Sequence, residues 1–331
     1  MPERKLTMID IAELAGVGKS TVSRYFNGGC VRADTRDKIK KICDEYDYHP
    51  NQAARLMKAK RTYTIGVISP TLTSHTSART ITVMDDYLRE NGYTSVIINA
   101  NHSAEKELDA FGFFSELNVD AVVILATNDR YNYDELMCKY HKPILFMGQE
   151  IKGAPSVVYD DYNAGYAVGK RAAETGCKNV TYLGVDESDI SVGVLRRKGV
   201  FDALKDAGIE NAEELKADFE YDKCLPIVRN YLAGHKPDVI VCATDRMAIA
   251  CYKVMAEMKL SVPDDISLLG FGSYRYGNLL NPPLESIRFH NQEAGELCAK
   301  TILKMLDGEN VPLKQLVEYD YIEGGSVKKS Y

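Results

Sequence analysis

Between Lys19 and Asn27 stand Lys19, Ser20, Thr21, Ser23, Arg24 and Asn27, side chains able to hydrogen-bond the base edges and phosphates of a nucleic acid. Lys and Arg suit the acceptors of guanine in a DNA major groove, while hydroxyls and amides serve base edges or phosphate oxygens. These groups act together only if one helix presents them. Apolar Met8, Ile11, Ala12 and Ala15 recur at helical spacing, Gly16-Val17-Gly18 interrupts the pattern, and a second short helix is predicted from Lys19 to Phe26 with Val22 facing inward. Gly16 can take the positive φ that redirects the chain, Val17 can plug the angle between the helices, and Gly18 stands at the cap position. That is a helix-turn-helix. The same geometry occurs outside DNA binders, and a solvated helix on an ordinary helical domain also fits these residues.

Charge is divided unevenly along the 331 residues. The whole chain carries -6, yet residues 1 to 61 hold 13 Lys/Arg against 8 Asp/Glu, a net of +5, leaving 28 against 39, a net of -11, for the remainder. Phosphates attract the basic end and not the acidic one. With 45% hydrophobic and 27% charged residues, the composition is that of a globular protein of more than one domain. No apolar run reaches bilayer-spanning length and MPERKLTMID has no signal-peptide h-region, so a cytoplasmic protein with no membrane partner is expected. The eight cysteines lack C-x-x-C or zinc spacing and read as reduced thiols, with no metal and no cofactor expected.

Asp34 to Tyr46 is predicted as a third helix, with Ile39, Ile42 and Cys43 on one face. Tyr48-His49-Pro50-Asn51 then breaks the chain before Gln52 to Lys58, a segment too short to persist as an isolated helix. On composition alone, QAARLMKAKR reads equally as a plain linker or as a helix that forms on a partner.

The run GVGKSTVSRYFNG followed by VRADTRDKIKKICDEYDYHPNQAARLMKAK resembles the DNA-binding end of the LacI/GalR family of bacterial repressors. The resemblance continues through TIGVISP, KNVTYLGV, VIVCATDRMAIA, DISLLGFGS and LNPPLESI, so it spans essentially the whole chain. VVYDDYNAG, YLGVDESDISVG and LRRKG look like the trehalose-repressor branch. The resemblance implies a helix-turn-helix head over residues 1-49, a hinge helix and linker over 50-61, and a core of two lobes over 62-331 that binds an effector and dimerises. It further implies that Lys19, Ser20 and Arg24 read bases and that Thr7, Thr21, Ser23, Asn27, Thr35 and Asn51 position the DNA backbone. Ala54, Met57 and Lys58 of the hinge would also meet DNA, Met57 as the apolar wedge in the minor groove. The partners implied are a pseudo-palindromic operator, a small sugar effector and a second copy of the chain. No leucine heptad tail follows the core, so a dimer is expected and not a tetramer built on such a tail.

From Tyr63 onward, apolar strand runs (TIGVIS, SVIINAN, AVVILAT, PILFMG, then NVTYLGV, VIVCAT, ISLLGF) alternate with amphipathic helices. A helix near 291 to 307 and a strand from Val317 to Ile322 close the pattern. Two α/β lobes of parallel sheet, like those of periplasmic binding proteins, are predicted. Ligands in such lobes sit beyond the carboxyl ends of the strands. The candidates there are Thr71, Ser74, Asn101, Asp160, Thr244, Asp245 and Tyr274, whose hydroxyls, amides, acids and aromatic ring suit a sugar. Arg196 joins them because LRRKG resembles the family segment whose arginine grips the effector, with Arg197 as its rival; Asp245 serves equally as a helix cap. Gly272 and Gly148 stand where sugar-responsive members carry polar ligand contacts. A disaccharide is expected, and its phosphorylation is left open.

GVGKST is not a phosphate-binding P-loop, because position 13 is Glu and a helix, not a strand, precedes it. No G-x-S-x-G, H-E-x-x-H or dinucleotide fingerprint occurs, so no enzyme is expected. Two other readings fit parts of the chain: a solute-binding protein of the same two-lobed fold, and a regulator controlled by a protein partner.

Overall fold

Thr7 opens the first helix, α1 (Met8–Ala15), with a reciprocal cap: its hydroxyl accepts from the Asp10 N–H at 3.4 Å, and the Asp10 carboxylate accepts from the Thr7 N–H at 2.6 Å. The computed structural model describes residues 6–26, 29–46, 48, 61–126 and 133–329. The chain divides into two compact units, Met1–Thr62 and Tyr63–Tyr331.

In the first unit, Gly16 ends α1 at φ 68° and ψ 35°, and its N–H caps the carbonyls of Ala12 and Glu13. Helix α2 (Lys19–Phe26) leaves at once, and α3 (Ala33–Glu45) closes the other side. Ile11, Ala12, Ala15, Val22 and Ile39 are buried at the centre, with Tyr25, Phe26 and Tyr48 packed around them. Each of Ile11, Val22 and Ile39 contributes about 1.5–3 kcal/mol through burial. Asn27 and the hinge candidates Asn51, Ala54, Met57 and Lys58 lie outside the described residues.

In the second unit, two six-stranded sheets form two lobes. The first has the order β11-β5-β4-β3-β1-β2, built from β1 (Thr64–Ser69), β2 (Thr94–Asn99), β3 (Ala121–Leu125), β4 (Ile144–Met147), β5 (Ser156–Tyr159) and β11 (Lys314–Val317). The second has the order β12-β10-β9-β8-β6-β7, from β6 (Asn179–Gly184), β7 (Asn211–Lys216), β8 (Val239–Cys242), β9 (Ser267–Phe271), β10 (Glu285–Phe289) and β12 (Tyr319–Ile322). Pairing is parallel throughout, in registers such as Val67 with Val123 and Leu183 with Cys242, save for antiparallel β10 and β12. Helices cover both faces, so β3, β4 and β8 are wholly buried and read as unbroken apolar runs.

Helices α4 (His75–Glu90), α5 (Ala104–Glu116) and α6 (Tyr133–Lys139) belong to the first lobe. The second holds α7 (Asp161–Ala173), α8 (Arg197–Asp206), α9 (Tyr221–Leu232) and α10 (Asp245–Glu257), while α11 (Asn291–Leu306) returns to pack on α4. The chain passes between lobes at Asp160, His290 and Glu318. These crossings are tied together: the Asp160 N–H reaches the Val317 carbonyl at 3.2 Å, and the His290 N–H reaches the Glu318 carbonyl at 3.3 Å.

Three features differ from the sequence reading. The expected single strand Val317–Ile322 is two, because Glu318 carries the chain from one sheet to the other. Strands β5, β7, β10 and, apart from Val317, β11 were not anticipated; β7 and β11 are sheet edges and need no apolar run. The amphipathic helix expected after the NVTYLGV strand begins as a π-helical segment, Ile190–Arg196, before α8. All eight cysteines are free thiols. Among the described residues no helix is long and apolar enough to cross a membrane.

Candidate functional site

The head presents one polar face. Lys19, Ser20 and Arg24 are exposed on α2, Thr21 and Ser23 are half-buried beside them, and Val22 alone turns fully into the core. Thr35 is half-buried in the first turn of α3. The Thr7 hydroxyl, expected to face the DNA backbone, also donates to the Asp10 carboxylate at 2.7 Å, so its side chain is committed to the cap of α1.

The second candidate site is the cleft between the lobes, which encloses about 160 Å³. The loops after β1, β3 and β4 supply one wall, and those after β6, β8 and β9 the other. Contacts bridge its mouth. Arg246 donates to the Thr73 carbonyl and Ser191 to the Gly148 carbonyl, His75 packs on Tyr274 with ring centroids 4.5 Å apart, and His102 stacks near Phe219 at 6.3 Å. Desolvation, then the charges of Arg79 and Arg275, push the His75 pKa below the ordinary imidazole value.

Arg196 lies at the floor, 6% exposed. The last residue of the π-helical segment, it turns its guanidinium onto Asp161, with Nη2 and Nε at 2.5 and 3.0 Å from one carboxylate oxygen, and Nη1 donates to the Ala243 carbonyl at 2.6 Å. The rings of Phe271 and Phe289 flank it, with centroids 4.6 and 5.1 Å from Cζ. Three of its five N–H groups are thereby engaged, which holds the guanidinium in a buried, charge-balanced site. Arg197 turns the other way to pair with Glu214 at 2.8 Å. Asp189 also lines the cleft; its carboxylate caps the π-helical segment by accepting from the Val192 N–H at 2.8 Å, and burial pushes its pKa up to about 6.

Of the sequence candidates, Thr71, Ser74, Arg196, Thr244 and Tyr274 line this cleft. Asp160, Asn101 and Asp245 do not. Asp160 is the crossing residue and turns outward to bond Asn163, at 2.8 Å to its side chain; the next residue, Asp161, takes the inward direction. Asn101 is exposed after β2, and the cleft receives its neighbour His102. Asp245 is fully buried behind the wall, accepting from the Tyr274 N–H at 2.7 Å and the Ser286 hydroxyl at 2.6 Å. Burial pushes its pKa up to about 6. Thr244 is the cap of α10, so Asp245 is left to pin the loop that carries Tyr274. Gly272 is explained by the same loop: it stands at φ 130°, and a Cβ there would meet the Tyr274 ring at 2.4 Å. The aromatic ring occupies the space a side chain at 272 would need.

Residues 7–51 match the family described as bacterial regulatory proteins, lacI family, and residues 170–327 match the periplasmic binding protein-like domain. The sucrose operon repressor of Staphylococcus xylosus is 31% identical over 312 residues, covering 94% of this chain and 97% of that protein. The HTH-type transcriptional regulator TreR of Salmonella typhimurium is 25% identical over 323 residues, 95% and 98% of the two chains. The solved Lac repressor dimer bound to operator and the anti-inducer ONPF superposes with a TM-score of 0.89 at 23% identity, over 98% of this chain and 99% of that one, which shows a shared fold. This chain therefore belongs to the LacI family of bacterial regulatory proteins, and is a DNA-binding transcriptional regulator.

Proposed function

We propose that this regulator represses a carbohydrate-utilisation operon in the cytoplasm, binding a pseudo-palindromic operator as a homodimer and leaving it when a sugar enters the interlobe cleft. The observation that carries this is the buried Arg196–Asp161 pair at the floor of a cleft whose first-lobe wall carries hydroxyls at Thr71, Thr73, Ser74, Thr76 and Ser77, joined in one chain to a helix-turn-helix with an exposed Lys19/Ser20/Arg24 face. The names of the relatives lend support, since one is a sucrose operon repressor.

On this reading Lys19, Ser20 and Arg24 read base edges, while Thr21, Ser23, Asn27, Thr35 and Asn51 hold the DNA backbone. Thr7 contributes by fixing the start of α1. Ala54, Met57 and Lys58 form the hinge contact, Met57 as the minor-groove wedge. Thr71, Ser74, Arg196, Thr244 and Tyr274 bind the effector, joined by Asp161 and Asp189. The effector acts by favouring one arrangement of the lobes over another, with a coupling to DNA of about 1–3 kcal/mol. Regulation is by binding alone, with no enzymatic step.

The test is calorimetric titration of the purified protein with sucrose, maltose, trehalose and trehalose 6-phosphate, with and without operator-like DNA. Saturable binding of one sugar, weakened by DNA, supports induction. Binding strengthened by DNA replaces induction with corepression, and binding by none sinks the sugar assignment.

A further inference from the structure

Phosphate recognition needs uncompensated cations or free backbone N–H groups at helix starts. Among the described residues the cleft is lined by two cationic side chains, Arg196 and Arg246, and both are already engaged. Arg196 is neutralised by Asp161 at 2.5 Å. Arg246 lies 3.6 Å from Glu220 and donates to the Thr73 carbonyl on the opposite lobe. Against these, Asp161, Asp189 and Glu220 all face the cleft, so its lining carries one more acid than base.

The helix starts are likewise occupied. Ser74 caps α4 by accepting from the Ser77 N–H at 3.3 Å, and Thr244 caps α10 by accepting from the Met247 N–H at 3.4 Å. At the π-helical segment a carboxylate, that of Asp189, already sits on the N–H group where an anion would otherwise settle. What the cleft does offer is hydroxyls at Thr71, Thr73, Ser74, Thr76 and Ser77, beside the guanidinium of a charge-balanced arginine. These groups match sugar hydroxyls, which donate and accept without carrying charge.

We infer that the cleft selects an uncharged, polyhydroxylated ligand and rejects the same ligand once it is phosphorylated, with Asp189 as the excluding charge. The inference rests on the sugar-effector reading and narrows it. It also places the regulator's signal before any phosphorylating step: the ligand sensed is the sugar itself and not its phosphate ester.

The test uses the full chain and three matched pairs: sucrose and sucrose 6-phosphate, trehalose and trehalose 6-phosphate, cellobiose and cellobiose 6-phosphate, each titrated calorimetrically. The expected result is binding of an unphosphorylated member, with its phosphorylated partner at least about tenfold weaker, and a smaller gap in Asp189→Asn. Asn keeps the helix cap, so this variant separates charge from folding. A phosphorylated member that binds as tightly as its parent overturns the inference and leaves the sugar reading standing. A gap unchanged by Asp189→Asn overturns the role given to that carboxylate. Binding by neither member of any pair fails the sugar reading itself, and the inference with it.

Discussion

Asp161 is the first residue past the crossing at Asp160, and its carboxylate holds the guanidinium of Arg196 at 2.5 Å in a site where both side chains are buried. One ion pair thus joins the cleft floor to a connection between the lobes. Removing one partner leaves a buried charge without compensation, so Asp161→Ala should cost about 3–5 kcal/mol of unfolding free energy. The double variant Asp161→Leu/Arg196→Met should cost much less. Urea denaturation monitored by circular dichroism distinguishes them, and a single-variant loss under about 1 kcal/mol would mean that the pair is solvated.

Arg24 stands exposed on α2, and its stem runs against Gly29, where an added Cβ would lie 2.5 Å from Arg24 Cγ. Arg24→Ala should weaken operator binding by about 1–3 kcal/mol and relax the preferred base at one position. Gly29→Ala should act in the same direction by displacing that stem. Operator titrations at fixed salt check both, and an Arg24→Ala protein with parental affinity would refute base reading by this residue.

His75 packs on Tyr274 across the lobes with its Nδ1 buried and without a hydrogen-bond partner. Its pKa is lowered by desolvation and by Arg79 and Arg275, so the folded state disfavours the imidazolium. The sign follows: above the ordinary histidine value of about 6.5 no penalty exists, and below it the unfolded chain takes the proton more readily than the folded one. The melting temperature of His75→Gln should therefore fall less than the parent's between pH 7.5 and pH 5.5. An equal fall in both proteins would remove His75 from the acid response.

Arg246 and Ser191 bridge the cleft mouth through the Thr73 and Gly148 carbonyls. Replacing Arg246 by Ala should leave the stability of the core within about 0.5 kcal/mol, since the contact is at the surface. Effector affinity should drop about tenfold, because closure then lacks one of its bonds. Small-angle scattering of the ligand-free variant should register a more open core. Unchanged scattering together with unchanged affinity would show that the bridge does not bias closure.

Much of this was legible in the residues. The Gly16-Val17-Gly18 break between two helical patterns marks the turn that Gly16 makes at φ 68°, and the unbroken apolar runs mark buried central strands because helices cover both faces. The cleft was legible only in part. Whether Asp160 or Asp161 faces inward depends on where the strand hands over to the crossing, a shift of a single residue that periodicity does not resolve. His102 in place of Asn101 is the same kind of miss. Phe289 was missed because β10 was missed, and its pairing with Phe271 around Arg196 joins residues far apart in the chain. Gly272 was noted as a departure, yet only the position of the Tyr274 ring explains it.

The split at Glu318 bears on how this chain is made. Strand β11 completes the first lobe's sheet beside β5, and β12 follows immediately as an edge of the second. A ribosome that has released the first five strands has therefore delivered a sheet lacking its border, with β5 unprotected along one side until residue 317 emerges. Both lobes become whole within a few residues of each other. Severing the chain at the His290 crossing yields two fragments of which neither contains a finished sheet, whereas a cut at Asp160 leaves the second sheet whole and a cut at Glu318 leaves the first whole.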